Sequence, residues 1–510
     1  EYLRQTFDAQ VTQKDLYETY LPAFKQLIDS DVACVMATYN ALLGEPCVIS
    51  RLLLRDILRE QWGFEGFVCS DGGALVTPHQ THNATQDAVE TAARALQVDL
   101  DLEIGQNAYP ELQTAIERGD VTEEDVDDSL KRLLRMRFRL GEFDDPAGVP
   151  YTQIDRDVVH CPEHVALARE TARKGCVLLK NNGVLPFSSD VRTITAAGPT
   201  VADIQVLLGN FYRGVGPKLV TVLEGMVEAA PEGTVIKHMQ GCLLRHENVF
   251  DSDWTFGLAE QADAIVLGIG VSPLMEGEGG ECILSPDGAD RDMLELPENQ
   301  VKFVKRMKTL GKPVVLVVTG GSPVAMPELH ELADAVLFAW YPGEQGGAAV
   351  GDILFGRECP SGRLPITFPM ATDDVPPMED YDMRGRTYRY AEKTPLYPFG
   401  FGLSFAEFKY DNLLLPDGPV AAGETATVSA QVTNKGARAA EDVVQLYVRD
   451  DEASVRTPHW QLSGIQRVGL EPGETATVEF EITPRMLELV NEEGERVLEP
   501  GTFTISMGGS

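Results

Sequence analysis

The sequence lacks a basic cluster and a long apolar run. Its 43 Lys and Arg stand against 79 Asp and Glu, which gives a formal net charge of −36. Such a surface repels phosphate backbones and anionic membranes, so we expect no nucleic-acid partner and no membrane partner. No apolar run approaches the roughly 18–20 residues that cross a bilayer. A neutral substrate fits this charge best.

The chain also lacks any paired-cysteine motif. Its eight cysteines are scattered without a C-x-x-C pair, so they indicate neither a disulfide scaffold nor a zinc site. His79 and His82 lie three residues apart, but no third ligand is evident beside them. We therefore predict no metal and no cofactor. The first residues carry no signal-peptide pattern, and we expect the chain to start inside a longer protein.

What the chain does have is length. Its 510 residues exceed the roughly 250–300 at which a single core stops growing, so several domains are expected. In region 1–145, helical patterns alternate with three short apolar runs, at residues 31–40, 67–69 and 98–103. Three buried strands with helices between them predict parallel β/α units. Three units are too few to close a barrel, so they predict part of a barrel or an open sheet.

Each of these three predicted strands ends in polar residues. Tyr39 follows the first strand, Asp71 the second, and Asp101 and Glu103 the third. Active sites collect at the carboxyl ends of parallel strands, so chemistry is expected at this edge. Asp101 and Glu103 are expected to be structural.

The remaining residues predict two further domains. Strand signals at TITAAGP, TVIKHM, ADAIVLGIG, PVVLVVTGG and AVLFAWY make region 146–370 an α/β domain with a largely parallel sheet, opened by a helix that ends in VLLKNNGVLPF. Region 371–415 is rich in Pro, Gly and aromatics and is predicted to be an ordered linker. Short alternating strands in region 416–510 predict a small β-sandwich.

Several segments resemble one known family. They occur in that family's order, and they are YNALLGEPC (39–47), LLLRDILREQWGFEGFVCSDGGA (52–74), VLLKNNGVLPF (177–187), MEGEGGE (275–281), ADRDMLELPENQ (289–300), WYPGEQGGAAVGDILFGRECPSGRLPITFP (340–369), GRTYRY (385–390) and PLYPFGFGLSF (395–405). The chain thus resembles glycoside hydrolase family three, which contains β-glucosidases and β-xylosidases.

The resemblance implies a fold. It implies the last three units of a (β/α) barrel, an α/β sandwich and a fibronectin-type-III-like sandwich. In the family, the barrel begins well upstream of the first residue of this chain, and that part supplies an Arg, a Lys-His pair and an Asp that hold the sugar. The resemblance therefore implies an upstream polypeptide that completes the barrel.

The resemblance also implies the nucleophile. Retaining hydrolysis of a glycoside uses two carboxyl groups about 5–5.5 Å apart, one as nucleophile and one as acid/base. Asp71 matches the family's Ser-Asp motif and is expected to be the nucleophile, with Gly72 and Gly73 allowing close approach of the sugar. Relatives often have Trp or Cys where this chain has Gly72. The residue at this position therefore does not indicate whether the enzyme is specific for glucose or for xylose.

The acid/base is expected in the glutamate-rich loop that follows ADAIVLGIG. Glu276, Glu278 and Glu281 are available there. A match to xylosidase-like relatives favours Glu276, and a match to the Gly-Glu-Gly of β-glucosidases favours Glu278, which otherwise is expected to contact substrate. Asp290-Arg291 is expected to hold the loop by an ion pair. Tyr39 resembles a family tyrosine whose hydroxyl fixes the nucleophile, and we expect it to bind substrate.

These expectations together predict an exo-acting, retaining β-glycoside hydrolase. It would release terminal β-D-xylose or β-D-glucose from an oligosaccharide or aryl glycoside, without a cofactor. Two alternatives stay open. The chain could be a catalytically incomplete carbohydrate-binding fragment or partner subunit, or it could be a β-N-acetylglucosaminidase.

Overall fold

The computed structural model describes residues 3–210, 214, 216–248, 254–280, 282–286 and 288–509. The chain divides into two compact units. The first comprises Glu1–Val158, Pro377–Met383 and Val490–Val497, and the second comprises Val159–Pro376, Arg384–Leu489 and Leu498–Ser510. None of the described helices is both long enough and apolar enough to span a membrane.

The first unit is built around two parallel strands. Cys34–Ala37 pairs with Phe67–Ser70, in a register that sets Ala37 opposite Ser70. Short strands and helices surround this pair: strands Asp8–Ala9, Ala41–Leu42 and Glu45–Pro46; α-helices Gln13–Asp15, Pro22–Asp29, Thr77–Gln80, Ala88–Gln97, Leu112–Arg118 and Glu123–Arg139; π-helices Leu16–Tyr20 and Leu52–Gln61; and 3₁₀ turns Cys47–Ile49, Ala74–Val76, Tyr109–Glu111, Pro146–Gly148, Pro150–Gln153 and Arg156–Val158.

The predicted third strand is only a single bridge between Cys69 and Leu102. The N–H groups of Asp101 and Leu102 both donate to the carbonyl of Val68, at 2.8 and 3.0 Å. Two consecutive donors on one acceptor break the alternation that a β-ladder needs, so pairing stops there. The first strand is also less buried than predicted, because Met36 is 54% exposed.

Two threonines cap helices in this unit. The side-chain oxygens of Thr12 and Thr122 accept the N–H groups of Asp15 and Asp125, which starts the helices that follow.

The second unit contains a six-stranded sheet. Across the sheet, the strands run in the order Val177–Asn181, Ala335–Trp340, Val314–Thr319, Ala264–Gly270, Thr193–Ala197 and Val235–Met239. Five are parallel, and Val177–Asn181 lies antiparallel on one edge. Helices accompany the sheet: Pro162–Gly175, Gln205–Leu208, Val222–Ala229, Trp254–Glu260, Glu298–Lys308, Pro327–Leu332 and Gly346–Leu354.

The predicted helix through VLLKN is wrong, because the helix ends at Gly175 and a strand follows. Val177, Leu178 and Leu179 are all buried in succession. Three consecutive buried residues suit a strand covered on both faces rather than one face of a helix.

The carboxyl-terminal part is a β-sandwich of two three-stranded sheets. One sheet contains Phe408–Leu414, Ala426–Asn434 and Thr475–Ile482, and the other contains Gln461–Leu470, Ala440–Asp450 and Phe503–Gly508. Val432, Val444 and Val478 belong to one shared core. The sequence did not predict Phe408–Leu414, which is an edge strand inside the predicted linker, or Gln461–Leu470. Shorter elements complete the chain: Thr372–Asp374, Thr387–Tyr390, Pro484–Leu487, Leu489–Val490 and Arg496–Val497.

Candidate active site

Asp71 lies directly after the second parallel strand of the first unit. Its N–H donates to the carbonyl of Ala37 at 2.8 Å, which ties it to the end of the neighbouring strand. The register of the pair brings Tyr39 beside it, two residues beyond Ala37. The strand ends therefore bring together two of the residues that the sequence singled out.

The contacts of Asp71 and Tyr39 differ from the expectation. One carboxylate oxygen of Asp71 accepts the N–H of Gly72 at 2.6 Å. The hydroxyl of Tyr39 donates to the carbonyl oxygen of Gly72, also at 2.6 Å. Tyr39 thus holds the backbone after Asp71, whereas the sequence analysis expected its hydroxyl on the carboxylate itself.

The two glycines after Asp71 have different roles. Gly73 has a φ of 76°, a left-handed conformation that glycine adopts at little cost, and this turns the chain into the helical segment that follows. Gly72 does not require glycine in this way. A side chain there would meet only Ile104 Cγ2, at 4.0 Å.

Other candidates near this edge are structural. Asp101 forms ion pairs with Arg59 at 2.9 Å and Arg132 at 2.7 Å, and Glu103 accepts the N–H groups that begin the 3₁₀ turn Tyr109–Glu111. His82 Nε2 lies 2.9 Å from the carbonyl oxygen of Tyr39, and His79 Nδ1 lies 3.1 Å from the hydroxyl oxygen of Thr91.

Glu276 lies in the second unit, in the loop that follows Ala264–Gly270. It is 8% exposed, which is unusual for a carboxylate. The residues around it follow the two neighbouring strands: Gly321 and Ser322 come after Val314–Thr319, and Tyr341 comes after Ala335–Trp340. The Glu276 side chain is therefore held at the carboxyl edge of three adjacent parallel strands, where α/β sheets place their sites.

Four donors hold the Glu276 carboxylate. Oε1 accepts the N–H of Gly321 at 2.6 Å and the hydroxyl of Tyr341 at 2.7 Å. Oε2 accepts the hydroxyl of Ser322 at 2.8 Å and pairs with Arg291 Nε at 2.8 Å. Such a set satisfies a buried carboxylate and fixes its orientation. Arg291 thus holds the loop through Glu276, as the sequence expected of an ion pair at Asp290-Arg291.

Tyr341 is a neutral donor in this arrangement. Its burial, reinforced by the charge of Glu276, raises the pKa of its phenol well above the ordinary value of 10.0. The hydroxyl therefore keeps its proton throughout the neutral range and donates it to Glu276.

The backbone of the loop is fixed as well. Asn210 Nδ2 donates to the carbonyl oxygen of Glu276 at 2.7 Å. Gly277 has a φ of 145°, and a Cβ there would lie 1.5 Å from the Asn210 side chain. Only glycine fits beside Asn210. Glu278 is partly exposed two residues beyond Glu276, whereas Glu281 lies outside the described residues.

Sequence reasoning missed three of these partners. Gly321 ends a segment noted as a strand signal, Ser322 directly follows that segment, and Tyr341 stands in a family landmark, but none was given a role in the site. The available signal was their position directly after adjacent parallel strands, which is the rule that identified Asp71.

Comparison with protein families matches three parts of the chain. Residues 5–136 match the glycosyl hydrolase family 3 N-terminal domain, residues 176–405 its C-terminal domain, and residues 442–510 a fibronectin type III-like domain. A β-xylosidase of Formosa agariphila is 34% identical over 523 residues, spanning 98% of this chain and 70% of that protein. The chain belongs to glycoside hydrolase family 3.

Other relatives are named as β-glucosidases or β-xylosidases. A periplasmic β-glucosidase of Salmonella typhimurium is 31% identical and is matched over 98% of this chain and 69% of its own length. Among solved structures, a family 3 exo-β-xylosidase in complex with a xylobiose aziridine probe superimposes with a TM-score of 0.90 at 28% identity, over 99% of this chain and 68% of that one.

A β-glucosidase of Erythrobacter marinus gives a TM-score of 0.88 at 32% identity, over 98% of this chain and 69% of its own. The predicted fold class is confirmed by these matches. This family 3 chain is an exo-acting β-glycoside hydrolase, an enzyme that hydrolyses O-glycosyl bonds.

Proposed function

We propose that this family 3 hydrolase releases terminal β-D-xylose or β-D-glucose with retention of configuration, by double displacement. The observation that carries the proposal is Asp71 at the end of a parallel strand, with one carboxylate oxygen fixed by Gly72 N–H at 2.6 Å. In the first step, the other oxygen attacks the anomeric carbon while an acid protonates the leaving oxygen. In the second step, the same group deprotonates water, which displaces Asp71 from the sugar.

The orientation of Asp71 suits it to the role of nucleophile. The N–H of Gly72 holds one carboxylate oxygen and so fixes the direction in which the other oxygen can attack. The position of Tyr39, whose hydroxyl holds the carbonyl of Gly72, supports a second part of the proposal, in which the tyrosine ring contacts the bound sugar. Arg4 lies over the face of that ring, 5.0 Å from its centre.

Glu276 is our first candidate for the acid/base. It is a buried carboxylate at the carboxyl edge of the sheet, in the loop where the sequence predicts this group. Each of its two oxygens accepts two of the four donors. To give a proton to the leaving oxygen in the first step, one carboxyl oxygen must face the substrate, and this requires release of part of that set of donors.

Glu278 is the second candidate because of those same four donors. The guanidinium, two hydroxyls and one backbone N–H that contact Glu276 occupy both of its oxygens, which leaves neither free to meet the leaving oxygen of a substrate. If Glu276 keeps all of these contacts during turnover, it positions the loop, and Glu278, two residues on, donates the proton.

Azide rescue distinguishes the two. Removal of the true acid/base stalls the second step, and azide then replaces water as the nucleophile that releases the sugar. We expect Glu276→Ala to lose activity on an aryl β-glycoside and to regain turnover with azide, giving a β-glycosyl azide. Rescue of Glu278→Ala with no rescue of Glu276→Ala would transfer the role to Glu278. An α-configured azide product would contradict double displacement itself.

The sugar is proposed from the relatives, whose names divide between β-xylosidase and β-glucosidase. The comparison to make is kcat/KM on matched aryl β-xyloside and aryl β-glucoside. We expect cleavage of at least one of them. An enzyme that cleaves neither, but cleaves the aryl β-N-acetylglucosaminide, would be the β-N-acetylglucosaminidase that the sequence left open as an alternative.

A partner-dependent activity is the second candidate function. One observation favours it: within the described residues, Cys34–Ala37 pairs with a strand on one side only. An upstream polypeptide that adds strands to this edge would complete a barrel around Asp71. We therefore propose to assay this chain alone and together with the polypeptide encoded directly upstream. Full activity of the chain alone would exclude the need for a partner.

A further inference from the structure

A cleft of about 400 Å³ lies in the second unit. It is formed where the segment that precedes the β-sandwich meets the sandwich itself. It shares no residue with the group of donors around Glu276. Its lining residues are Thr367, Tyr388, Ala391, Lys393, Pro395, Pro398, Phe399, Tyr447, Trp460, Ser506 and Gly509.

Aromatic rings form one wall of this cleft. Tyr388 and Phe399 are stacked, with ring centres 4.0 Å apart and planes 14° from parallel. Tyr447 meets both of them edge-on, at 6.3 and 6.5 Å. Trp460 has Arg449 4.9 Å from the centre of its ring. Four aromatic side chains around one opening give a broad, flat apolar surface.

Hydrogen bonds fix these rings in advance. Tyr447 donates its hydroxyl to Gln445 Oε1 at 2.6 Å, and Gln445 is held in turn by the carbonyl of Gly400 at 3.0 Å. The hydroxyl of Tyr388 accepts the N–H of Leu462 at 3.1 Å. A ligand that binds here loses little free energy in ordering the protein, because the aromatic wall is already ordered.

A polar group at the cleft has no partner. The hydroxyl oxygen of Thr367 is buried and forms no hydrogen bond within the part of the chain that the structure describes. A buried hydroxyl in this state costs free energy, which a ligand hydroxyl would recover. Lys393 and Ser506 add polar groups among the lining residues.

We propose that this cleft binds a short neutral oligosaccharide. Pyranose rings present apolar C–H faces that pack on aromatic rings, and hydroxyls that pair with groups such as Thr367. The formal charge of −36 disfavours anionic ligands. A volume of about 400 Å³ lies within the range of small-molecule sites. The choice of a β-linked disaccharide of the substrate class rests on the proposed function.

The test uses a sulfur-linked xylobiose, which resists hydrolysis, and titration calorimetry on the whole chain. We expect binding that weakens about tenfold in Trp460→Ala, from loss of the stacking surface, and several-fold in Thr367→Val. Trp254→Ala is the matched control, because Trp254 is 75% exposed and does not line the cleft. It should bind as the unaltered chain does.

Hydrolysis of the aryl glycoside is measured on the same variants. Trp460→Ala and Thr367→Val should retain it, because neither residue belongs to the proposed catalytic groups. If both variants bind the sulfur-linked disaccharide as tightly as the unaltered chain, the cleft proposal is overturned and the proposed function is untouched. If binding depends on Trp460 and Thr367 while no glycoside is hydrolysed, the cleft proposal is supported and the proposed function is contradicted. Thr367→Val, a nearly isosteric change, decides the matter if Trp460→Ala does not fold.

Discussion

At the residue scale, Glu276 is defined by the groups that donate to it. Tyr341, Ser322 and Gly321 come from loops after two neighbouring strands, and Arg291 comes from the same loop as Glu276. Each donor is modest alone. Together they fix the position of a charged group that burial would otherwise make costly.

Tyr341→Phe removes one of these donors without changing the shape of the side chain. A hydrogen bond to a charged group contributes about 1.5–3 kcal/mol, so we expect kcat/KM to fall about 10- to 100-fold. The measurement is steady-state kinetics on an aryl glycoside, with a thermal melt to show that the fold is kept. Unchanged kcat/KM would mean that the contact between Tyr341 and Glu276 has no part in turnover.

Gly72 and Gly73 provide a matched pair of substitutions beside Asp71. Gly72→Ala has room, since only Ile104 Cγ2 comes as near as 4.0 Å, and we expect little change in stability. Gly73→Ala must adopt a φ of 76°, which costs about 1–2 kcal/mol. Denaturant unfolding measures both. Equal stability of the two variants would contradict the claim that the left-handed backbone conformation at position 73 favours glycine.

The sequence identified the candidate carboxylates more readily than their partners. Asp71 stands directly after an apolar strand and Glu276 stands in a glutamate-rich loop, so local pattern made both candidates, while the family resemblance supplied their roles and left Glu278 open beside Glu276. Tyr341 and Ser322 lie 65 and 46 residues further along the chain than Glu276, and only the strand order of the sheet joins them to it. Contacts at such separation have no local sequence signal.

At the element scale, Asp352 joins two helices of the second unit. It lies on Gly346–Leu354 and accepts two hydrogen bonds from Arg169, at 2.7 and 2.8 Å, and one from Arg173 at 2.7 Å, both on Pro162–Gly175. Burial alone would raise the pKa of Asp352, but the two guanidinium groups outweigh it and hold this pKa below its usual value of 3.8.

Because the folded pKa of Asp352 is lowered, its ionised form stabilises the folded chain above pH 3.8, and that contribution is lost as pH falls through the lowered value. We expect Asp352→Asn to lower the free energy of unfolding by about 3–5 kcal/mol at neutral pH, and by less in strong acid. Urea unfolding at several pH values measures this. Asp56→Asn, which disrupts an exposed pair with Arg51, should change little. A loss for Asp352→Asn that does not shrink in acid would contradict the linkage.

Elements with a strong period were predictable, and the exceptions have physical causes. Four of the five parallel strands of the second unit are buried and largely apolar, whereas the edge strand Val235–Met239 includes Lys237 and His238; all five were identified. The edge strand Phe408–Leu414 was missed because an edge strand is exposed on one side and mixes Lys, Asp and Asn with apolar residues. The prediction of a third strand in the first unit was wrong because of the local backbone hydrogen bonds at Asp101, which no sequence pattern indicates.

At the scale of the whole molecule, the formal charge of −36 predicts a response to salt. Like charges on the folded surface repel one another, and salt screens this repulsion. We expect Tm to rise between low salt and about 0.5 M NaCl. Sucrose in place of salt separates general solvent exclusion from screening. A Tm that falls with NaCl would mean that attractive ion pairs outweigh the repulsion.

Double displacement depends on one covalent event, the attack of Asp71 on the anomeric carbon. A 2-deoxy-2-fluoro β-glycoside with a good leaving group slows the second step and traps the sugar on the nucleophile, and peptide mapping by mass spectrometry then locates it. We predict one sugar per chain, on the peptide that contains Asp71, and no label in Asp71→Asn. A sugar attached to any other residue, or a protein that hydrolyses glycosides yet traps none, would contradict the account.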